Sequence, residues 1–151
     1  AQTTQSDLDS AHETATEKDY GLTKVGISAK LGIFGASYTY GETKKDGSGV
    51  FNAVAKNGMI AWSVSLADEE DASMHFATID AQVLPELNVA LKYAEIERDN
   101  VASTDDNEDE TYVELTYKMS KNLSAYLRVG EYQNEDALKE DRGRLQVQYT
   151  F

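Results

Sequence analysis

Apolar residues recur at every second position through most of this chain, and that period constrains the fold more than any other feature. In 22–31 Val25, Ile27, Ala29 and Leu31 alternate with Lys24, Gly26, Ser28 and Lys30. In 33–41 Phe34, Ala36, Tyr38 and Tyr40 share one parity, and in 74–83 Ala77, Ile79, Ala81 and Val83 do. The pattern continues with Leu87, Val89, Leu91 and Tyr93, with Val113, Leu115, Tyr117 and Met119, and with Leu123, Ala125, Leu127 and Val129. It ends on Leu145, Val147, Tyr149 and Phe151. Side chains of a strand point alternately to its two faces, so each run predicts a strand with one apolar and one polar face. Two further runs read the same way: 51–56, leading into a hairpin at Asn57-Gly58, and 59–67, with Ile60, Trp62, Val64 and Leu66 on one face.

The connections carry a second pattern. Leu84 to Glu86 and Ser120 to Asn122 are tight, whereas longer polar loops are expected near 42–50, 67–73, 97–110 and 132–142. Short turns alternating with long loops describe an antiparallel meander with one plain and one decorated end. The alternation is consistent only if 51–56 is its own strand, which gives about nine strands in 20–151. Residues 1–19 are polar and acidic, with Leu8 the one large apolar residue, and read as a tail or loop.

The fold class is therefore all-β, and the open question is which face is inside. In a soluble sandwich the apolar face is the core; in a transmembrane barrel it meets lipid and the polar face lines the lumen. Small residues on the apolar faces (Ala29, Ala36, Ala77, Ala81, Ala125) fill a packed core poorly but suit fluid lipid. Tyrosines at Tyr40, Tyr93, Tyr112, Tyr117, Tyr132 and Tyr149 stand where interfacial girdles are expected. An odd strand count favours about half of a 16–18-stranded pore over a closed eight-stranded barrel.

Charge excludes one class of function. With 27 Asp plus Glu against 14 Lys plus Arg the net charge is -13, the wrong sign for a nucleic-acid footprint. No cysteine is present, so thiolate chemistry is excluded. On the polar faces the balance reverses: Lys24, Lys30, Lys92, Lys118, Arg128 and Arg144 stand against Asp80 and Glu114. Lining a pore, they make a mostly positive wall that sets ion selectivity; otherwise they are solvated residues along wet strands. Asp105, Asn107 and Asp109 have the alternating spacing of a calcium-loop start, without the glycine such a loop requires at its sixth position. Ca²⁺ or Mg²⁺ at the acidic loops is the one ion expectation, and no other cofactor is expected. No hydrolase, phosphate-loop or zincin motif occurs, and His75 with Asp80 is the one pair worth weighing for catalysis.

The ending Leu145, Val147, Tyr149, Phe151 resembles the C-terminal β-signal of Gram-negative outer-membrane proteins. Together with the meander over 20–151, the chain resembles the C-terminal part of a porin, loosely of the Campylobacter-type major outer-membrane porins. The resemblance implies passive diffusion of small hydrophilic solutes through a water-filled barrel. It also implies contact with outer-membrane lipid and lipopolysaccharide, recognition by the barrel-assembly machinery, an N-terminal half completing the barrel, and a homotrimer. The alternatives are a small closed barrel acting as an adhesin and a soluble β-sandwich binding module.

Overall fold

A computed structural model describes residues 2–7, 21–47, 59–67, 69–99, 107–135 and 137–151. These residues form one antiparallel sheet of eight strands in sequence order. The strands are β1 (Gln2–Asp7), β2 (Gly21–Leu31), β3 (Phe34–Thr43), β4 (Ala72–Leu84), β5 (Leu87–Arg98), β6 (Glu108–Lys118), β7 (Leu123–Asn134) and β8 (Glu140–Tyr149). From β2 onward each has 10 to 13 residues, which covers the roughly 9–11 residues a tilted strand needs to cross a bilayer. β1 and β8 are the free edges among the described residues, so neither a closed eight-stranded barrel nor a two-sheet sandwich is formed.

Turns and loops segregate to opposite ends. β2–β3, β4–β5 and β6–β7 join tightly at Gly32-Ile33, Pro85-Glu86 and 119–122, while β3, β5 and β7 finish, and β4, β6 and β8 begin, at the other end. Gly32 has φ +60°, a conformation that a residue without Cβ adopts at no steric cost, so the two-residue turn needs glycine there.

Strand register shows which face each side chain shares. The row Val25–Tyr40–His75–Glu95 and the row Ala29–Ala36–Ile79–Leu91–Val113–Val129 lie on one face. That face is apolar yet exposed: Ile27 is 63 %, Ile79 62 % and Val147 60 % accessible. A water-soluble sheet would bury these side chains, because each left in water forgoes roughly 1.5–3 kcal/mol. The exposed face is the lipid-facing one of a barrel wall.

Two expectations need correction. Residues 59–67 are not a strand: they hold only an isolated bridge between Ile60 and Ser65 and fold back onto the sheet. Segment 51–56 and the Asn57-Gly58 turn, on which the ninth strand rests, lie outside the described residues. The apolar period of 59–67 comes from two short arms of a loop. Gln2–Asp7, inside the segment read as a tail, pairs with Gly21–Gly26 as β1; backbone pairing with β2 supplies what its polar composition does not advertise.

The buried cluster is also inverted relative to a soluble protein. Leu22, Ala72, Met74, Ala94 and Ile96 come from the polar-face parity near the loop end, and Met59, Val64 and Leu66 from the returning loop complete it. Val64, Met74, Ala94 and Ile96 have no accessible surface. The loop thus covers the upper part of the polar face.

Candidate functional site

The same register brings all eight sequence-predicted wall residues to the polar face. Lys30, Gly35, Asp80, Ala90, Glu114, Arg128 and Arg144 form one continuous cross-strand row. Lys92 stands in the next row toward the loops, opposite Thr78 and Tyr112, and Lys24 lies further up, opposite Gly41. Lys118 lies toward the turns, opposite Ser124.

Much of this charge is internally compensated. Glu114 takes Lys92 Nζ at 2.8 Å on one oxygen and Arg128 Nε at 2.5 Å on the other. One carboxylate therefore serves two cations, and all three side chains are largely buried. Asp80 accepts from Asn88 Nδ2 at 3.0 Å. Arg128 is further held over the ring of Tyr126, 4.6 Å from its centroid, a cation–π geometry that fixes the guanidinium plane.

Above this row the loop is clamped. Glu110 is 1 % accessible, and its carboxylate accepts the backbone N–H of Trp62 at 2.6 Å and of Ser63 at 2.9 Å. A buried carboxylate is tolerated because its lone pairs are occupied by donors. The Trp62 ring meets Tyr112 edge-on at 5.4 Å. Arg142 Nη1 donates to Ser63 Oγ at 2.6 Å, so the loop after β3 reaches a side chain of β8. Arg98 holds the descending arm, pairing with Glu69 at 3.0 Å and Glu108 at 3.3 Å.

The seat of the loop requires a glycine. A Cβ on Gly41 would run into Met59 Sδ and come within 2.8 Å of Leu66 Cδ2. Gly41 is a polar-face position of β3, so the missing side chain leaves room for the loop to lie against the sheet.

Several expected sites change on this geometry. Tyr40, Tyr93, Tyr117 and Tyr149 do stand on the lipid-facing side, but Tyr112 and Tyr132 share the polar face with Glu110 and Arg142. His75 and Asp80 have opposite parity on β4 and face opposite sides of the sheet, so they form no catalytic pair. Asp105 lies outside the described residues. Asn107 accepts from Arg98 N at 3.2 Å, and Asp109 is on the lipid-facing parity opposite Glu95. Among the described residues no three His, Asp or Glu side chains gather to hold a metal. Leu145, Val147 and Tyr149 are exposed on the outer parity of β8, and Phe151 stacks edge-on against Tyr149 at 5.2 Å.

Sequence reasoning misses Glu110, Trp62, Arg98 and Arg142. Arg142 carries a signal, since it has the parity of Arg144 and extends the same face by one step. Glu110 and Arg98 have it too, once the strands run further into the acidic loops than alternation suggests. Nothing in the sequence marks Trp62 as a loop tip.

A family model described as Gram-negative porin matches residues 1–137. Among curated proteins and among solved structures nothing matches.

Proposed function

The chain belongs to the Gram-negative porin family and is an outer-membrane protein, and from that premise we propose that it forms the wall of a passive, water-filled pore for small hydrophilic solutes. One observation carries the reading: a sheet of bilayer-length strands has an exposed apolar face, while its charged face is narrowed by an inward loop. The polar face is then the lumen, Lys24 to Arg144 its lining, and the loop 59–67 the constriction.

The mechanism is size exclusion at the loop followed by the field of the wall. Pairing at Glu114 lowers the effective positive charge below what a residue count implies, leaving a moderate preference for anions. No bond is made or broken in passage. Unpaired edge groups cannot be left in lipid, so further strands pair with β1 and β8 to close the barrel. Lipid and lipopolysaccharide cover the apolar face, and the Leu145–Phe151 strand is the element the assembly machinery reads. A homotrimer and Ca²⁺ or Mg²⁺ at the acidic loops extend the same proposal.

Planar-bilayer recording of the protein purified in detergent tests it. Stepwise insertion of ohmic channels, with sugar uptake into liposomes falling as solute size rises, is the expected result. Heat-modifiable folded protein that yields no conductance steps would overturn the pore.

A further inference from the structure

We propose that the loop 59–67 rests on a level platform, parallel to the membrane and outside its hydrocarbon. The pore then narrows at its loop-end mouth, and the outer surface of the wall at that height meets headgroups and water instead of acyl chains. This rests on the reading of the polar face as a lumen, and goes beyond it by fixing the height of the constriction.

Each strand changes character partway along its outward side. Toward the loop end Tyr40 gives way to Glu42, Ala77 to His75, Tyr93 to Glu95 and Val129 to Glu131. On β2 the last outward apolar residue is Val25, and on β8 it is Leu145. The register row through Leu145 meets β2 at Leu31, six residues from Val25 and six strand-to-strand steps away. One residue per strand, at about 3.3 Å against a strand spacing of about 4.8 Å, is a tilt of about 35°, which is the tilt of a transmembrane barrel. The apolar border is therefore a level line that cuts obliquely across the register. Tyrosine hydroxyls reach over it: Tyr93 donates to Glu95 at 2.9 Å, Tyr40 to Glu42 at 3.3 Å, and the Tyr38 hydroxyl lies 2.6 Å from His75 Nδ1. Rings on the apolar side with hydroxyls on the wet side make an interfacial girdle.

Three residues past this border stand Leu22 on β2, Met74 on β4, Ile96 on β5, Glu110 on β6 (counted from Val113) and Arg142 on β8. They share no register row: Met74 pairs with Ile96, but Glu110 pairs with Ala94 and Arg142 with Gly130. All five hold the loop. Leu22, Met74 and Ile96 pack with Met59, Val64 and Leu66. Glu110 accepts from Trp62 N and Ser63 N, and Arg142 donates to Ser63 Oγ. The loop thus follows a line that is level in the tilted frame, not a rung of the ladder. At about 2.7 Å of height per tilted residue, that line stands about 8 Å beyond the border. The wall also inverts there: its inner side is apolar and covered by the loop, and its outer side carries Glu42, Glu95 and Glu131. A covered apolar inner face with a polar exterior is how a sheet is built in water.

Single cysteines in this cysteine-free chain test the height, labelled with bimane and reconstituted into vesicles of phosphatidylcholine brominated on its acyl chains. Ile27 and Glu131 lie in one outward register row, but the tilt sets Ile27 two residues inside the border and Glu131 two outside it. Leu91 and Glu97 give the same contrast along β5, and Glu97 adjoins Ile96 of the platform. All four are exposed, and heat-modifiable mobility reports the folding of each variant. Ile27→Cys and Leu91→Cys are expected to lose most of their emission. Glu131→Cys and Glu97→Cys should keep theirs and react with a membrane-impermeant maleimide. Equal quenching of Ile27→Cys and Glu131→Cys overturns the tilt and the level platform with it. Quenching of Glu97→Cys to the extent of Leu91→Cys puts the loop seat within the hydrocarbon and overturns the proposal. If Glu97→Cys does not fold, Ser73→Cys, beside Met74, reads the same height. The expected depth profile without conductance steps keeps the platform and removes the pore; no quenching at any position removes both.

Discussion

Replacing Glu110 by alanine isolates the clamp that holds the loop tip. The carboxylate takes two backbone donors, Trp62 N at 2.6 Å and Ser63 N at 2.9 Å. Bonds to a charged group contribute about 1.5–3 kcal/mol each. Ser63 is exposed, so its N–H regains water once freed, and the net cost is about 2–3 kcal/mol. The apolar seat is larger: Met59, Val64 and Leu66 are at least 96 % buried, together roughly 5–8 kcal/mol. The seat therefore outlasts the clamp. Glu110→Ala should release the tip about 30- to 150-fold more often while the base of the loop stays down. Glu110→Gln should do far less, because one oxygen already reaches both donors, at 2.6 and 3.1 Å. Trp62 is the only tryptophan in the sequence, so fluorescence reads the tip directly. The expected outcome is a red-shifted emission and stronger acrylamide quenching in Glu110→Ala, a small change in Glu110→Gln, and greater open-channel noise in the same order. An alanine variant with wild-type emission and quenching would refute the clamp.

Gly41→Val should unseat the base of the loop, since the new side chain occupies the space of Met59 and Leu66; overpacking of about 1–3 kcal/mol should appear as higher single-channel conductance and faster proteolysis within 44–71. Glu114→Gln releases Lys92 and Arg128 from their shared partner, so the reversal potential in a salt gradient should move toward stronger anion preference. An unmoved potential would mean those cations do not face the permeation path. Ile79→Arg places a charge on the exposed apolar face at about 2–4 kcal/mol near the bilayer midplane, lowering the yield of heat-modifiable protein. Thr78→Arg, its neighbour of opposite parity, should assemble normally, and equal yields would contradict the face assignment.

The strands β2 to β8 and the face of nearly every residue in them are legible in the amino-acid order. Alternation is a local property: Val113 and Glu114 point apart wherever the strand is placed, so parity alone puts Lys92, Glu114 and Arg128 on one face. Which of those charges neutralise one another is not legible. The Lys92–Glu114–Arg128 triad depends on β5, β6 and β7 lying in adjacent register, and alternation says nothing about which residue stands opposite which. The loop 59–67 reads as a strand for a related reason. Two short arms folding back produce the same apolar spacing as a strand, and only the long-range partners Leu22, Met74 and Ile96 distinguish them.

By itself, then, the sequence determined an antiparallel meander, its lipid and water faces, its plain and decorated ends, and the polar parity on which a charged wall could form. Tertiary structure decided the rest: that the loop after β3 lies against the wall and that Glu110 holds its tip. Period two is written in neighbouring residues, because backbone geometry imposes it one residue at a time. The seat of the loop depends on Gly41 being empty and on Glu110 and Arg142 arriving from strands far along the chain, and no local pattern encodes that meeting.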